Sequence, residues 1–176
     1  MKKVVIITGT PTKPSRLHGV VDYVSEQIKE LGLDVHHIDV VDMPAEDLLH
    51  ANWNSPVIQA ANQQISKADA VVIATPIYKA SYTGILKAFL DLIPEKGLEN
   101  KLLLPIIMGG TKAHLLMMEY ALKPVLSVLG ANQIEAGVFI HDSEARWADD
   151  GKVIIDTEVN NRLTVSVEKL CKNIMK

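Results

Sequence analysis

The residues best equipped for chemistry lie in one stretch, Thr8-Gly9-Thr10-Pro11-Thr12-Lys13-Pro14-Ser15-Arg16-Leu17. It follows the β-branched run Val4 to Ile7 and precedes apolar residues (Val20, Val21, Val24, Ile28, Leu31) that recur at helical spacing. Such a loop ends on a helix N-terminus, where unpaired N–H groups and the helix dipole favour an anion. Gly9 lets the backbone approach a ligand, and Thr10, Thr12 and Ser15 supply hydroxyls. Arg16 supplies a guanidinium fork suited to phosphate oxygens. In composition this is a cradle for a phosphate monoester, bounded by Thr8 and Leu17. Ser15 alone would also make an ordinary N-cap of a strand–helix turn. The fingerprints GxGxxG and GxxxxGK[ST] are absent, which favours a monophosphate over a dinucleotide or a Walker-bound triphosphate.

Two further loops carry suitable groups. Thr75-Pro76-Ile77-Tyr78-Lys79 follows a second apolar run and could lay backbone amides and apolar edges along a flat ring, with Tyr78 beside it. A Pro-terminated strand with a surface tyrosine reads equally well. Gly109-Gly110-Thr111 follows a third run. Its glycines let the chain run flat under a ring or against a neighbouring backbone, and Thr111 can donate to a carbonyl edge. His114 lies a turn further on, either facing a ligand or capping a helix.

The elements that must hold these loops alternate. Apolar runs at Val4–Ile7, Leu33–Ile38, Ala70–Thr75, Leu102–Met108 and Ile134–Ile140 read as strands, with Pro105 a blemish in the fourth. Helical stripes lie between them: the first, closed by Gly32; Val57–Ser66 behind Pro56; Ile85 to Ile93; Leu115 to Leu129; and Leu163 to Ile174. Residues 43–56 read as mostly loop, and His141 to Gly151 as a polar, acidic loop. Strand–helix alternation implies an α/β chain, a doubly wound five-stranded parallel sheet with helices on both faces. Ligands in such sheets bind beyond the carboxyl ends of the strands, so the three loops belong together.

Bulk properties exclude other classes. The 176 residues suit a single domain, 1–176. A net charge of −3 without a basic run argues against nucleic acid. No apolar stretch approaches ~20 residues, so no membrane span is expected. Val4–Ile7 is also too short for a secretory core. The one cysteine, Cys171, sits on the last helical stripe as a core residue and fits a cytoplasmic location. His36 and His37 alternate along a strand and cannot converge on a metal; no metal site is expected.

Taken jointly, the motifs resemble a known family. Gly9-Thr10-Pro11 with Pro14-Ser15-Arg16, then Ala74-Thr75-Pro76-Ile77-Tyr78-Lys79-Ala80 with Tyr82 and Gly84, then Gly109-Gly110-Thr111 with Ala113-His114-Leu115-Leu116, resemble the NADPH-dependent FMN reductases. Within them, Tyr120-Ala121-Leu122-Lys123-Pro124-Val125-Leu126 and Pro44-Ala45-Glu46-Asp47-Leu48-Leu49 are similar to the flavin reductases of two-component alkanesulfonate monooxygenase systems. The likeness runs from Val4 to about Phe139. It implies a flavodoxin-like fold, FMN bound as a substrate that leaves reduced, and NADPH as donor with NADH as the alternative. It also implies a homotetramer (a dimer of dimers) and an FMNH2-dependent alkanesulfonate monooxygenase as partner. One departure stands out: the family's Ser-Pro-Arg is Thr10-Pro11-Thr12 here. Phosphate binding would then lean on Arg16, with Lys13.

Two further expectations follow. Pro124 has no N–H for the carbonyl of Tyr120, so the helix must kink or widen there. The sequence alone favours a kink with Tyr120 in the core; the resemblance implies a π-bulge at Tyr120, used in tetramer packing, that keeps flavin affinity low enough for release. Hydride transfer from nicotinamide to flavin is chemistry the cofactors carry themselves, so no catalytic residue is expected. The rival readings are a quinone or azo reductase with FMN held throughout, a flavodoxin-type electron carrier, and an FMN-binding protein without turnover. The T-G-N-T loop and strongly acidic surface expected of a carrier are missing.

Overall fold

A computed structural model describes residues 1–176. The elements run β1 (Lys3–Thr8), α1 (Arg16–Glu30), β2 (Asp34–Asp39), α2 (Ala45–Leu49), α3 (Pro56–Ser66), β3 (Ala70–Pro76), α4 (Gly84–Leu90) and β4 (Leu102–Gly109). A π-helical segment (Met118–Leu122), α5 (Lys123–Val128), β5 (Gln133–Ile134), β6 (Val138–His141), β7 (Ala145–Trp147), β8 (Val153–Ile155) and α6 (Thr157–Ile174) complete the chain. The strands pair in parallel in the order β2-β1-β3-β4, and β5 and β6 share the far edge of β4. This is the flavodoxin-like arrangement, with five strand positions.

Period-two alternation divides the apolar strands between two cores. Val5 and Ile7 of β1, Val71 and Ile73 of β3, and Leu103 and Ile107 of β4 pack with α3, α4 and α5. Val4, Ile6, Val72, Leu104 and Ile106 pack on the opposite face with α1 and α6. Strands buried on both faces have no reason to alternate with polar residues, which is why their sequences are continuous apolar runs.

Three expectations are corrected. The fifth strand is two pieces. The ladder to β3 runs unbroken through Pro105, so its missing N–H falls on the side where β5 and β6 are interrupted. Gly137, in the gap, has a φ of +84°, and a Cβ there would lie 3.0 Å from the Pro105 carbonyl oxygen. The stretch after His141 is not only loop: β7 and β8 form an antiparallel hairpin. The long helix from Leu115 is interrupted: a turn leads into the π segment, which the resemblance implies at Tyr120, and then into α5. Tyr120 itself is 79% exposed, not in the core.

Candidate functional site

β1 is the switch point, because the chain proceeds from it to β2 on one side and to β3 on the other. The loops after β1, β3 and β4 therefore leave neighbouring strand ends. Between them lies a cleft of about 290 Å³. Of the residues singled out in the sequence, Thr10, Ser15, Arg16, Leu17, Pro76, Ile77, Tyr78 and Gly109 line it together. Thr12, Pro14, Met108, Asp142 and Trp147 complete the lining.

The first loop is held as an anion-ready turn. Ser15 caps α1, its Oγ accepting from the His18 N–H at 3.2 Å. The Arg16 and Leu17 N–H groups have no backbone carbonyl partner, as the first turn of a helix leaves them. Together with the hydroxyls of Thr10, Thr12 and Ser15 they can receive a phosphate.

Arg16 has a second engagement. Its Nη1 donates to the carbonyl oxygens of Asp142 and of Ala145, the latter at 3.2 Å, and its Nη2 lies 3.6 Å from Asp142 Oδ1. The guanidinium thus ties the start of the β7–β8 hairpin to the start of α1, which carries Asp142 and Trp147 to the cleft. Sequence reasoning missed both residues; a tryptophan among acidic residues beside Arg146 was the available signal.

Lys13 is turned away from the cleft. Its Nζ donates to Asp39 Oδ2 at 2.7 Å and Asp42 Oδ2 at 2.6 Å. Burial works against both ionised partners. The carboxylates nevertheless raise the Lys13 pKa, and Lys13 holds the Asp39 carboxyl below the usual carboxylate range. Its expected help to Arg16 is corrected accordingly.

Other candidates lie around the cleft rather than on its wall. Thr8 is fully buried, and its hydroxyl has no partner. Gly9 is required by packing: a Cβ there would sit 2.6 Å from Leu86 Cβ of α4. Its N–H donates to Ala74 O at 2.8 Å and its carbonyl accepts from the Thr83 hydroxyl. Lys79 and Ala80, with φ of 49° and 62°, form the tip of a tight turn closed by Tyr78 N–H to Ser81 O at 2.8 Å. Gly110 O lies 3.0 Å from His141 Nε2. Thr111 caps a 3₁₀ turn, Lys112–His114, by accepting from Ala113 N–H at 3.2 Å, and His114 ends that turn.

Elsewhere, Cys171 is buried, and burial pushes its thiol up to about 11, so the thiolate that redox chemistry needs is suppressed. His36 bonds Asp34 and His37 bonds Ser25. No helix is long and apolar enough to cross a membrane.

A flavodoxin-like α/β sheet with an anion-ready turn and two facing loops at one end defines the class: a doubly wound α/β domain with a cleft at its switch point. The family model described as NADPH-dependent FMN reductase matches residues 2–145. A relative from Escherichia coli (strain K12), named FMN reductase (NADPH), is 44% identical over 142 residues, 81% of this chain and 74% of its own. One of the same name from Pseudomonas putida is 44% identical over 149 residues, 85% and 76% of the two chains. The crystal structure of an NADH:FMN oxidoreductase (EMOB) in its apo form superposes with a TM-score of 0.87 at 30% identity, covering 98% of this chain and 90% of the other. This chain belongs to the NADPH-dependent FMN reductase family. It is accordingly a flavin reductase that uses FMN and a reduced nicotinamide nucleotide.

Proposed function

We propose that this enzyme reduces FMN that arrives free and leaves as FMNH2, with NADPH as donor and NADH as the alternative, and that the product serves an FMNH2-dependent alkanesulfonate monooxygenase. The observation carrying the reading is the two-ended cleft. Free N–H groups at Arg16 and Leu17, with three hydroxyls and the Arg16 charge, suit a phosphate at one end. Pro76, Ile77, Tyr78 and Gly109 offer a flat, largely apolar border for a ring at the other. Thr8, Gly9, Lys79, Gly110, Thr111 and His114 belong to the same three loops and are proposed to contribute to the site from them. When bound, the flavin and nicotinamide supply the hydride chemistry; the chain's own task is to place two rings in contact.

The π segment supports the visiting-substrate reading. Pro124 withholds the N–H that the Tyr120 carbonyl needs, and Tyr120 is left exposed with Leu116 and Val128 nearby in sequence. That apolar face suits packing between copies, in keeping with a homotetramer built as a dimer of dimers. The sulfonate assignment rests on the sequence likeness at Pro44–Leu49 and Tyr120–Leu126, and the proposed location is the cytoplasm. The test is NAD(P)H oxidation with varied free FMN, FAD and riboflavin, beside the visible spectrum of the purified protein. Pale protein and ternary-complex kinetics are expected. Yellow protein with ping-pong kinetics would overturn the reading in favour of a quinone or azo reductase that retains FMN.

A further inference from the structure

Behind the phosphate end of the cleft, three side chains form a chain of polar contacts running into the protein. Ser15 Oγ lies 2.9 Å from His18 Nδ1. His18 Nε2 lies 3.4 Å from Asp39 Oδ1, and neither of these two buried atoms has any hydrogen-bond partner in the protein. The other Asp39 oxygen is taken by Lys13. We propose that His18 and Asp39 are positioning residues for the phosphate of FMN, setting through the imidazole whether the Ser15 hydroxyl accepts or donates at the cleft. The inference rests on the reading that this loop takes the phosphate.

The argument is one of hydrogen inventory. Asp39, ionised and paired with Lys13, is acceptor-only. It therefore selects a proton on His18 Nε2, leaving Nδ1 of the neutral ring as a lone pair. The Ser15 O–H must then donate to Nδ1, and its oxygen accepts from the His18 backbone N–H. In that state Ser15 has no hydrogen for a phosphate and presents only lone pairs to it. With the imidazolium, Nδ1–H donates to Ser15 Oγ, and the hydroxyl hydrogen is free to turn into the cleft. One proton taken up at His18 thus becomes one donor gained by the phosphate, and the imidazolium adds its charge.

Other charged groups near the ring act on the same equilibrium. Lys13 and Asp42 lie beyond Asp39. Asp22, Tyr23 and Glu26 of α1 and Lys152 beside β8 line the cavity of about 540 Å³ that His18 also faces. FMN binding should therefore weaken as pH rises through the range in which histidine loses its charge. Riboflavin, which has no phosphate, should be indifferent to the change.

The experiment measures the dissociation constants of oxidised FMN and riboflavin from pH 5.5 to 8.5 on the whole protein, by quenching of flavin fluorescence. The parent protein should lose its preference for FMN over riboflavin by about tenfold across that range, the scale of one charge-assisted hydrogen bond. The phosphate's own second ionisation, near pH 6, runs the other way and strengthens FMN binding as pH rises. In His18→Gln the downward trend should vanish, leaving only that opposite drift. In Asp39→Asn, a milder change at the same chain, the loss should begin at lower pH. A preference for FMN whose pH course is the same in parent and His18→Gln would overturn the proposal while sparing the phosphate site. Equal binding of FMN and riboflavin at every pH would overturn both.

Discussion

Replacing Arg16 by alanine tests the two engagements of that side chain separately. In the protein its guanidinium donates to two carbonyl oxygens at the base of the β7–β8 hairpin, those of Asp142 and Ala145. Hydrogen bonds from a charged donor are worth about 1.5–3 kcal/mol each. The side chain is 35% exposed, however, so water replaces part of what is lost. A total near 2 kcal/mol is the reasonable expectation. For a chain of 176 residues, at about 2–4 °C per kcal/mol, Tm should fall by roughly 4–8 °C. Loss of a phosphate contact of the same class should weaken FMN by about tenfold or more. Riboflavin should suffer only through the loosened hairpin, because Asp142 and Trp147 line the cleft. Arg16→Lys keeps the charge but is shorter and lacks the second nitrogen that lies beside Asp142 Oδ1, so it should restore FMN preference more than Tm. The assays are thermal unfolding and the ratio of kcat/KM for FMN to that for riboflavin. A Tm within about 1 °C of the parent would refute the clamp, and an unchanged ratio would refute the phosphate contact.

Three other perturbations follow from the geometry. Gly9→Ala places a methyl 2.6 Å from Leu86 Cβ and should destabilise by about 1–3 kcal/mol in urea unfolding, since backbone on α4 must move; unaltered stability would show that α4 yields freely. Pro124→Ala restores an N–H for the Tyr120 carbonyl, so the π segment should relax toward α-helix and FMN should dissociate more slowly in stopped flow; an unchanged release rate would separate the π segment from flavin release. Lys13→Met removes the partner that keeps the Asp39 pKa low. A depressed carboxyl stabilises the fold above its unfolded pKa and loses that contribution as pH falls through the folded value. The variant should therefore be about 1 kcal/mol less stable than the parent at pH 7 and equal to it once pH falls below the carboxylate range, as followed by urea melts at several pH values.

How much of this was legible in the sequence depends on whether local or distant contacts decide each element. β1, β3 and β4 were plain, because a strand covered on both faces needs apolar residues at every position and Val4–Ile7, Ala70–Ala74 and Leu102–Met108 supply them. The three loops were plain for the same reason, since they follow those runs directly. The hairpin was hidden. Its strands have three residues each, with Ala145, Val153 and Ile155 as their only inward apolar positions. What holds its base is Arg16, some 126 residues away in sequence. The broken fifth strand was hidden too, because the run 134–140 meets the missing N–H of Pro105 on the neighbouring strand, opposite the positive-φ Gly137.

The roles given to individual residues diverge more than their positions do. Gly9 suggests room for a ligand in the sequence, and in the fold the side where its Cβ would project is filled by Leu86. Arg16 suits a phosphate by its chemistry and is also a structural tie; Lys13, beside it in sequence, belongs to Asp39 and Asp42. These differences share a physical origin. A loop that must hold an anion without closing on it needs its donors fixed by something other than the anion. Here the hairpin fixes Arg16 from one side, and the Asp39 cluster fixes Lys13 and faces His18 from the other. Ser15 sits between these two supports, capping α1 and touching His18, so its hydroxyl is the group whose orientation the surroundings can change without moving the backbone. On the proposed reading, the direction of that one O–H bond tunes the hold on the FMN phosphate, while the hairpin and the Asp39 cluster keep the rest of the loop in place.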